Sequence, residues 1–328
     1  MERTNVNKQI FWGAGAGFLL LAGLALSASE GTQPAKAHHH PAHQVQAPMA
    51  QNSLTRLVIV FPSRRDSTDL QNKANAVAKF LSKELGMPVD AIVSDETAAV
   101  EALRANRADV AFLSSRPALK AEQLAGSKLA LAEVRSDYSG GHTYNSVLVV
   151  RKDSPLRPQG SEKQTLQQLK GKRMAFASRT SGSGFIIPTG QFVGQGLVDG
   201  PDRLENFFGQ VTYGDGYSSA LQAVLRKQAD VAAVSEYALT PPWITAQEAS
   251  QLRVLQEFPG VPAHGIAIDD DVPAAVREKI VNALLKLNQP ANNSMLRALY
   301  NSTQLVKVDH NSHLAPMRQA LQRAKIEP

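Results

Sequence analysis

The chain has 328 residues, of which 43% are apolar and 20% charged, with a net charge of +6 and no cysteine. At roughly 150 residues per domain, that is apolar material for about two domains with real cores, which excludes wholesale disorder. Without cysteine there is no disulfide, zinc–thiolate or iron–sulfur site, no thiol nucleophile and no lipid-modified N-terminal cysteine.

Residues 1–29 read as an export signal peptide. Arg3 and Lys8 precede an uncharged run from Ile10 to Leu26, and the small residues Ser27, Ala28 and Ser29 follow. Ala35-Lys36-Ala37 offers a second cleavage point, and a retained N-terminal anchor is the alternative reading. The mature protein is expected to be soluble and exported. Residues 30–53 read as a disordered linker rich in His, Pro and Gln. His38, His39, His40 and His43 have no fixed geometry and no carboxylate beside them, so the tract reads as a tether with incidental imidazoles.

Order begins at Leu54. The run 57–61 (LVIVF) is a buried strand, and Leu70, Ala74, Val77, Leu81 and Leu85 recur at helical spacing up to Gly86. Val89 to Val93 starts another strand, so the ordered part opens strand–helix–strand, the signature of a parallel sheet. An internal echo follows. Residues 98–115 (AAVEALRANRADVAFLSS) and 219–236 (SALQAVLRKQADVAAVSE) match at an offset of 121, each reading as an amphipathic helix, a polar turn ending in Ala-Asp and a buried strand. The echo predicts two α/β lobes with the same unit in each. Ligands of open α/β sheets lie beyond the carboxyl ends of strands, which directs attention to Ser114-Ser115 and Ser235-Glu236.

Between and after the echoes, 146–152 and 174–177 read as strands, 166–169 as a short helix and 185–197 as a helix. A strand at 265–268 and helices at 272–288 and 311–325 complete the chain. Asp269-Asp270-Asp271 lacks the spaced acids of a calcium loop and reads as a charged helix cap. His310 and His313 read as surface residues or a cap before the last helix. Arg64-Arg65, after the first strand, reads as solvent-facing. Lysines and arginines are dispersed, with no basic run interleaved with aromatics, so nucleic acid is not an expected partner.

The chemistry-bearing segment is Thr180-Ser181-Gly182-Ser183-Gly184, after a strand and before a helix. Free N–H groups at a helix start, glycines that admit a ligand to the backbone, and serine hydroxyls together make an anion site. Gly214-Asp215-Gly216-Tyr217-Ser218-Ser219 is a second such loop, before the helix of the second echo. Ordinary helix caps would use the same residue types. There is no G-x-S-x-G, S-x-x-K or P-loop, no nucleophile–base pair, and no metal-ligand spacing beyond the His310/His313 pair, so an enzyme, a cofactor or a metal is not expected.

The stretch 170–188 (KGKRMAFASRTSGSGFIIP) resembles the phosphonate/phosphite/phosphate-binding (PhnD-like) solute-binding proteins of ABC importers. Thr143-Tyr144-Asn145-Ser146 and both Ala-Asp-Val-Ala segments support the likeness, which spans about 54–320. The resemblance implies a bilobal type II periplasmic-binding-protein fold, two open α/β sheets with the ligand cleft between them, and no catalysis. It implies lobe one at 54–145 plus 256–328 and lobe two at 146–255. The implied ligand is a phosphorus oxyanion, namely phosphate, phosphite or a phosphonate, and the implied partner is the membrane permease of an ABC importer. A sensor kinase as partner, or another tetrahedral oxyanion as ligand, are the alternatives, and a monomer is expected.

Carried over by position, the family's Ser-Thr-Ser falls on Ser181, Gly182 and Ser183. Its Gly-x-His-Asp falls on Asp215, Gly216, Tyr217 and Ser218, where Tyr replaces His and Ser replaces Asp. The tyrosine after the first Ala-Asp strand is missing, and Arg116 could supply charge there. Ser114, Ser115, Arg116 and Tyr144 complete the expected ligand set. The loss of a carboxylate at Ser218 favours a more highly charged anion.

Overall fold

Leu57–Pro62 forms strand β1, with Leu57, Ile59, Val60 and Phe61 almost wholly removed from solvent. The computed structural model describes residues 54–63 and 69–328; the signal segment, the histidine-bearing linker and Arg64-Arg65 lie outside the described residues. Helix α1 (Leu70–Leu85) turns Leu70, Ala74, Val77 and Leu81 inward, as the spacing predicts. Gly86 ends it in the left-handed conformation at φ 67°, its N–H on the Ser82 carbonyl at 3.0 Å. Only glycine adopts that conformation without a Cβ penalty. Each fully buried Leu or Val contributes about 1.5–3 kcal/mol, which is what seats α1.

The chain continues through β2 (Val89–Ser94), α2 (Glu96–Arg104), β3 (Val110–Leu113), α3 (Ser115–Ala125) and β4 (Lys128–Val134). It then enters β5 (Thr143–Arg151), α4 (Glu162–Gln167), β6 (Arg173–Phe176), a π-turn at Gly182–Ile186 and α5 (Ile187–Gly194). Strand β7 (Gln210–Tyr213), α6 (Tyr217–Leu225), β8 (Val231–Ser235), α7 (Ala246–Ala249) and β9 (Leu252–Pro262) follow. The last elements are β10 (Gly265–Ile268), α8 (Ala274–Leu285), α9 (Asn293–Tyr300), β11 (Gln304–Lys307) and α10 (His310–Ala324).

Two sheets result, in the orders β11-β4-β10-β3-β1-β2 and β7-β6-β8-β5-β9. β1 pairs in parallel with β2 and β3, and β6 with β7 and β8. β10 is antiparallel to both β3 and β4, and β5 to both β8 and β9, so each sheet is mixed. The chain crosses between sheets twice, over residues 135–142 and at 263–264. Helix α10 comes after the last strand of the first sheet, yet it packs on α5 and β9 as well as on α3. Its closeness is set by Gly190, where a Cβ would lie 2.9 Å from the Ala320 carbonyl oxygen.

The echo is geometric as well as textual. Asn106 and Lys227, at the 121 offset, both take positive φ, 51° and 59°. Arg107 and Gln228 donate their N–H to Ala102 and Ala223, both at 2.8 Å. Asp109 accepts the Val58 N–H of β1 at 2.7 Å, and Asp230 accepts the Arg173 N–H of β6 at 2.9 Å. Each aspartate pins a neighbouring parallel strand.

Three local expectations change. The helix expected over 185–197 is a π-turn followed by α5, because the backbone at Gly184 lies against β6 and β8; a Cβ there would sit 2.4 Å from the Ala177 Cβ. The acids at 269–271 do not cap α8, which starts after Pro273; Asp269 is buried and accepts the Asp270 N–H at 2.8 Å. His310 and His313 are buried, not surface residues. His310 Nδ1 accepts the Leu129 N–H at 2.9 Å, His313 Nε2 lies 3.1 Å from the Ala263 carbonyl, and Asp309 supplies the cap.

Candidate functional site

The helices α3, from the first sheet, and α6, from the second, begin at the edge of one cavity of about 250 Å³. The Thr180-Ser181-Gly182 loop, leading into the π-turn, forms another part of its wall. Ser114, Ser115 and Arg116 line it from the first sheet, and Tyr144, Ser181, Gly182 and Tyr217 from the second. These seven are among the ten residues singled out from sequence.

The other three lie elsewhere. Ser183 is fully buried behind the wall; its hydroxyl pairs with the Tyr217 phenol at 2.7 Å, and its carbonyl accepts the Ser146 hydroxyl at 2.6 Å. Ser218 donates to the Trp243 carbonyl at 2.9 Å and so ties α6 to the loop before α7. The Asp215 N–H donates to Ser219 Oγ at 3.1 Å, and the residue is not part of the wall. Of the two strand ends the echo pointed to, Ser114-Ser115 reaches the cavity and Ser235-Glu236 does not. Ser235 is buried, and Glu236 accepts the Ser139 N–H at 2.9 Å.

Thr180, from the Gly/Ser segment singled out in the sequence, also lines the wall, and five further wall residues had no signal there: Glu96, Arg135, Tyr237, Trp243 and His264. Arg135 follows β4 and His264 occupies the second crossing, so both reach the cavity through topology. Both are held by Glu133, which is buried. The Arg135 Nε lies 3.4 Å from a Glu133 oxygen and the His264 Nδ1 3.0 Å from the same atom. The Tyr138 phenol (3.1 Å) and the Ser302 hydroxyl (2.6 Å) also donate to Glu133. A buried carboxylate with this many partners keeps Arg135 in place without leaving either charge uncompensated.

The remaining wall is aromatic. Tyr144 and Tyr237 meet edge-on at 5.2 Å, Tyr217 and Tyr237 at 5.8 Å, and Tyr217 and Trp243 at 5.2 Å. Burial pushes the Tyr144 and Tyr237 phenols well above the usual tyrosine range, so they keep their protons and remain donors. Burial draws the Arg116 guanidinium below its ordinary value, a desolvation cost that an adjacent anion would relieve. Its Nη2 donates to the Glu327 carbonyl at 3.0 Å. On the loop, the Ser181 hydroxyl accepts the Gly184 N–H at 3.0 Å, an ordinary cap. The wall therefore combines two arginines, helix starts from both sheets and protonated hydroxyls, a donor-rich lining suited to an anion. Among the described residues no group of three or more His, Asp or Glu could hold a metal ion.

Two mixed α/β sheets, joined by two crossings and lining one cavity, are the architecture of periplasmic binding proteins. Solved structures agree at the level of fold. XAC2383 from Xanthomonas citri bound to ATP superposes with a TM-score of 0.67 at 18% identity, covering 83% of this chain and 98% of that one. PhnD1 from Prochlorococcus marinus in complex with methylphosphonate gives 0.63 at 18%, covering 83% and 98%. A binding-protein component of an ABC phosphonate transporter from Pseudomonas aeruginosa gives 0.60 at 20%, covering 82% and 86%. The family model for phosphonate periplasmic substrate-binding proteins of ABC transporters matches residues 59–314, and the chain belongs to that family. Among curated relatives, it is 26% identical over 226 residues to the phosphonates-binding periplasmic protein of Escherichia coli K12, which covers 67% of this chain and 62% of that protein. It is 28% identical over 134 residues to the phosphate-import protein PhnD of Mycolicibacterium smegmatis, which covers 40% of each. The match thus spans less than two thirds of the length of either relative.

Proposed function

We propose that this protein is the periplasmic receptor of an ABC importer and that it captures a phosphorus oxyanion, namely phosphate, phosphite or a phosphonate, without transforming it. The two sheets act as two lobes. Ser115 and Arg116 from one and Ser181 and Gly182 from the other close on the oxygens, while Arg135 supplies charge. The closed form then docks on a membrane permease. The observation that carries this reading is the meeting of α3 and the Ser181-Gly182 loop, from different sheets, on a cavity that also holds two arginines. Closure requires that the ligand bind the closed state better than the open one, and donors divided between sheets meet that requirement. Family membership supports the same ligand class.

The test is a thermal-shift and calorimetric screen with phosphate, phosphite, methylphosphonate, longer phosphonates, arsenate and sulfate at matched ionic strength. A true ligand at 100 times its dissociation constant stabilises the protein by about 2.7 kcal/mol. The proposal fails if no phosphorus oxyanion shifts the melt.

A further inference from the structure

Glu96 places a carboxylate on the wall of a cavity otherwise furnished for an anion. It is the first residue of α2 and reaches across to the start of α3. One oxygen accepts the Ser114 N–H at 2.5 Å and the other the Ser114 hydroxyl at 2.9 Å. Ser114 is the N-cap residue of α3, yet its hydroxyl makes no bond to its own helix. Ser181, across the cavity, caps its own turn in the usual way. A helix needing only a cap would have used the serine already there. Instead Ser114 is turned to hold Glu96, and each carboxylate oxygen keeps a second lone pair.

An acceptor-only group beside an oxyanion repels it unless the oxyanion brings a proton. Resting on the reading above, we infer that Glu96 is the selectivity residue of this site and admits the tetrahedral anion that carries an acidic O–H. It accepts the P–OH of hydrogen phosphate or of a singly protonated phosphonate, and it rejects sulfate and sulfonates, which have no such proton. The carboxylate that the family pattern would put at Ser218 is thereby supplied from the other sheet. Arg116 and Arg135 act on both kinds of anion through charge, and the phenols of Tyr144, Tyr217 and Tyr237 donate to either, so these five do not discriminate. Discrimination by one charge-assisted hydrogen bond amounts to about 10- to 100-fold.

The test pairs ions of like shape and charge at one near-neutral pH. These are inorganic phosphate against sulfate, and methylphosphonate against methanesulfonate, titrated calorimetrically into the full chain. The wild type is expected to prefer the phosphorus member at least tenfold. Glu96→Gln, whose amide can donate as well as accept, is expected to gain affinity for the sulfur member and to lower that preference at least tenfold. An unchanged preference in Glu96→Gln overturns the inference. If Glu96→Gln fails to fold, Glu96→Asp keeps a carboxylate one methylene shorter; it should bind phosphorus anions more weakly yet still exclude sulfate, and sulfate binding there overturns the inference. If Glu96→Gln loses only 2-aminoethylphosphonate while both preferences stay, the partner of Glu96 is an ammonium group and the inference is also overturned. A wild type that binds no phosphorus anion defeats the proposed function instead, and one that binds phosphorus and sulfur members equally defeats this inference alone.

Discussion

The two echo units, α2–β3 and α6–β8, perform one backbone task with opposite electrostatics. In each, an aspartate 121 residues from its counterpart accepts the N–H of a neighbouring parallel strand. In the second unit Arg173 also grips Asp230 with two nitrogens, at 2.7 and 3.2 Å, and this holds the carboxyl below its ordinary range. In the first unit, burial dominates and pushes the Asp109 carboxyl up, opposed by the Val58 N–H. Beside it, Asp269 donates its N–H to the Asp109 carbonyl at 2.9 Å and is itself pushed up to about 6, mainly by burial. The strand ends differ as well. Ser114-Ser115 opens on the cavity, whereas Ser235 is buried and Glu236 accepts the Ser139 N–H instead of reaching the cavity. The same local sequence can thus be stabilised or left under electrostatic load, and the loaded unit is the one whose strand end reaches the cavity.

The largest test of that contrast is Asp269→Asn. A carboxyl that moves from 3.8 unfolded to about 6 folded makes the native state hold a proton the unfolded state has lost. Stability therefore falls as pH rises from about 4 to 6, and the penalty is fully present at pH 7. Two pKa units correspond to about 3 kcal/mol. Asparagine keeps an oxygen for the Asp270 N–H and cannot ionise. The variant should show a pH 4–7 decline in unfolding free energy smaller than the wild type's by about that amount, read from urea titrations at each pH. An unchanged decline would remove Asp269 as its source.

Most of this comparison was legible in the sequence, because it rests on local pattern. The α1 spacing, the helix–turn–strand echo and the Gly/Ser loop at 180–184 are short-range signals, and each maps onto an observed element. The elements not read from the sequence are β4, α3, β7, α7, β9, α9 and β11, and three of them, β7, α7 and β11, have only four residues each, too few to show a period. Missing β4 and the crossing at 263–264 also hid Arg135 and His264, which reach the wall only because strands far apart in sequence pair there. Glu96 was hidden for a related reason. Its partner Ser114 lies 18 residues on, and no helix or strand periodicity joins the two. His310 and His313 looked superficial because the packing of α10 across β4 and β9 is not written in their neighbourhood.

A smaller effect separates the paired aspartates themselves. The depressed Asp230 carboxyl contributes stability that is present above its unfolded value of 3.8 and is lost as pH falls through its folded value. The raised Asp109 carboxyl acts in the other sense, costing stability as pH rises through its folded value. Asp230→Asn should therefore destabilise at pH 7, by about 1 kcal/mol or less because the pair is partly exposed, and should make unfolding less sensitive to acid. Asp109→Asn should leave stability at pH 7 equal or higher. Urea midpoints at pH 3.5 and pH 7 separate the cases, and destabilisation of the same size in both variants at pH 7 would mean that the shared strand bond outweighs the charges.

The smallest effect lies in the turns of the two units. Asn106 and Lys227 occupy equivalent left-handed positions. A side chain there carries a steric cost of about 1 kcal/mol that glycine lacks, and asparagine carries less of it than lysine. Asn106 also donates to Asp271 Oδ2 at 2.5 Å, whereas the contact Lys227 makes at its turn is through its backbone carbonyl, which accepts from Arg173 at 2.9 Å. Glycine keeps that carbonyl. Lys227→Gly should accordingly raise stability by a few tenths of a kcal/mol, the relief of strain being offset in part by the extra freedom glycine gives the unfolded chain. Asn106→Gly gains less relief and loses a hydrogen bond, so it should lower stability. Opposite shifts in the urea midpoint are the expected outcome, and shifts of the same sign would show that the two turns, alike in backbone, are alike in energy too.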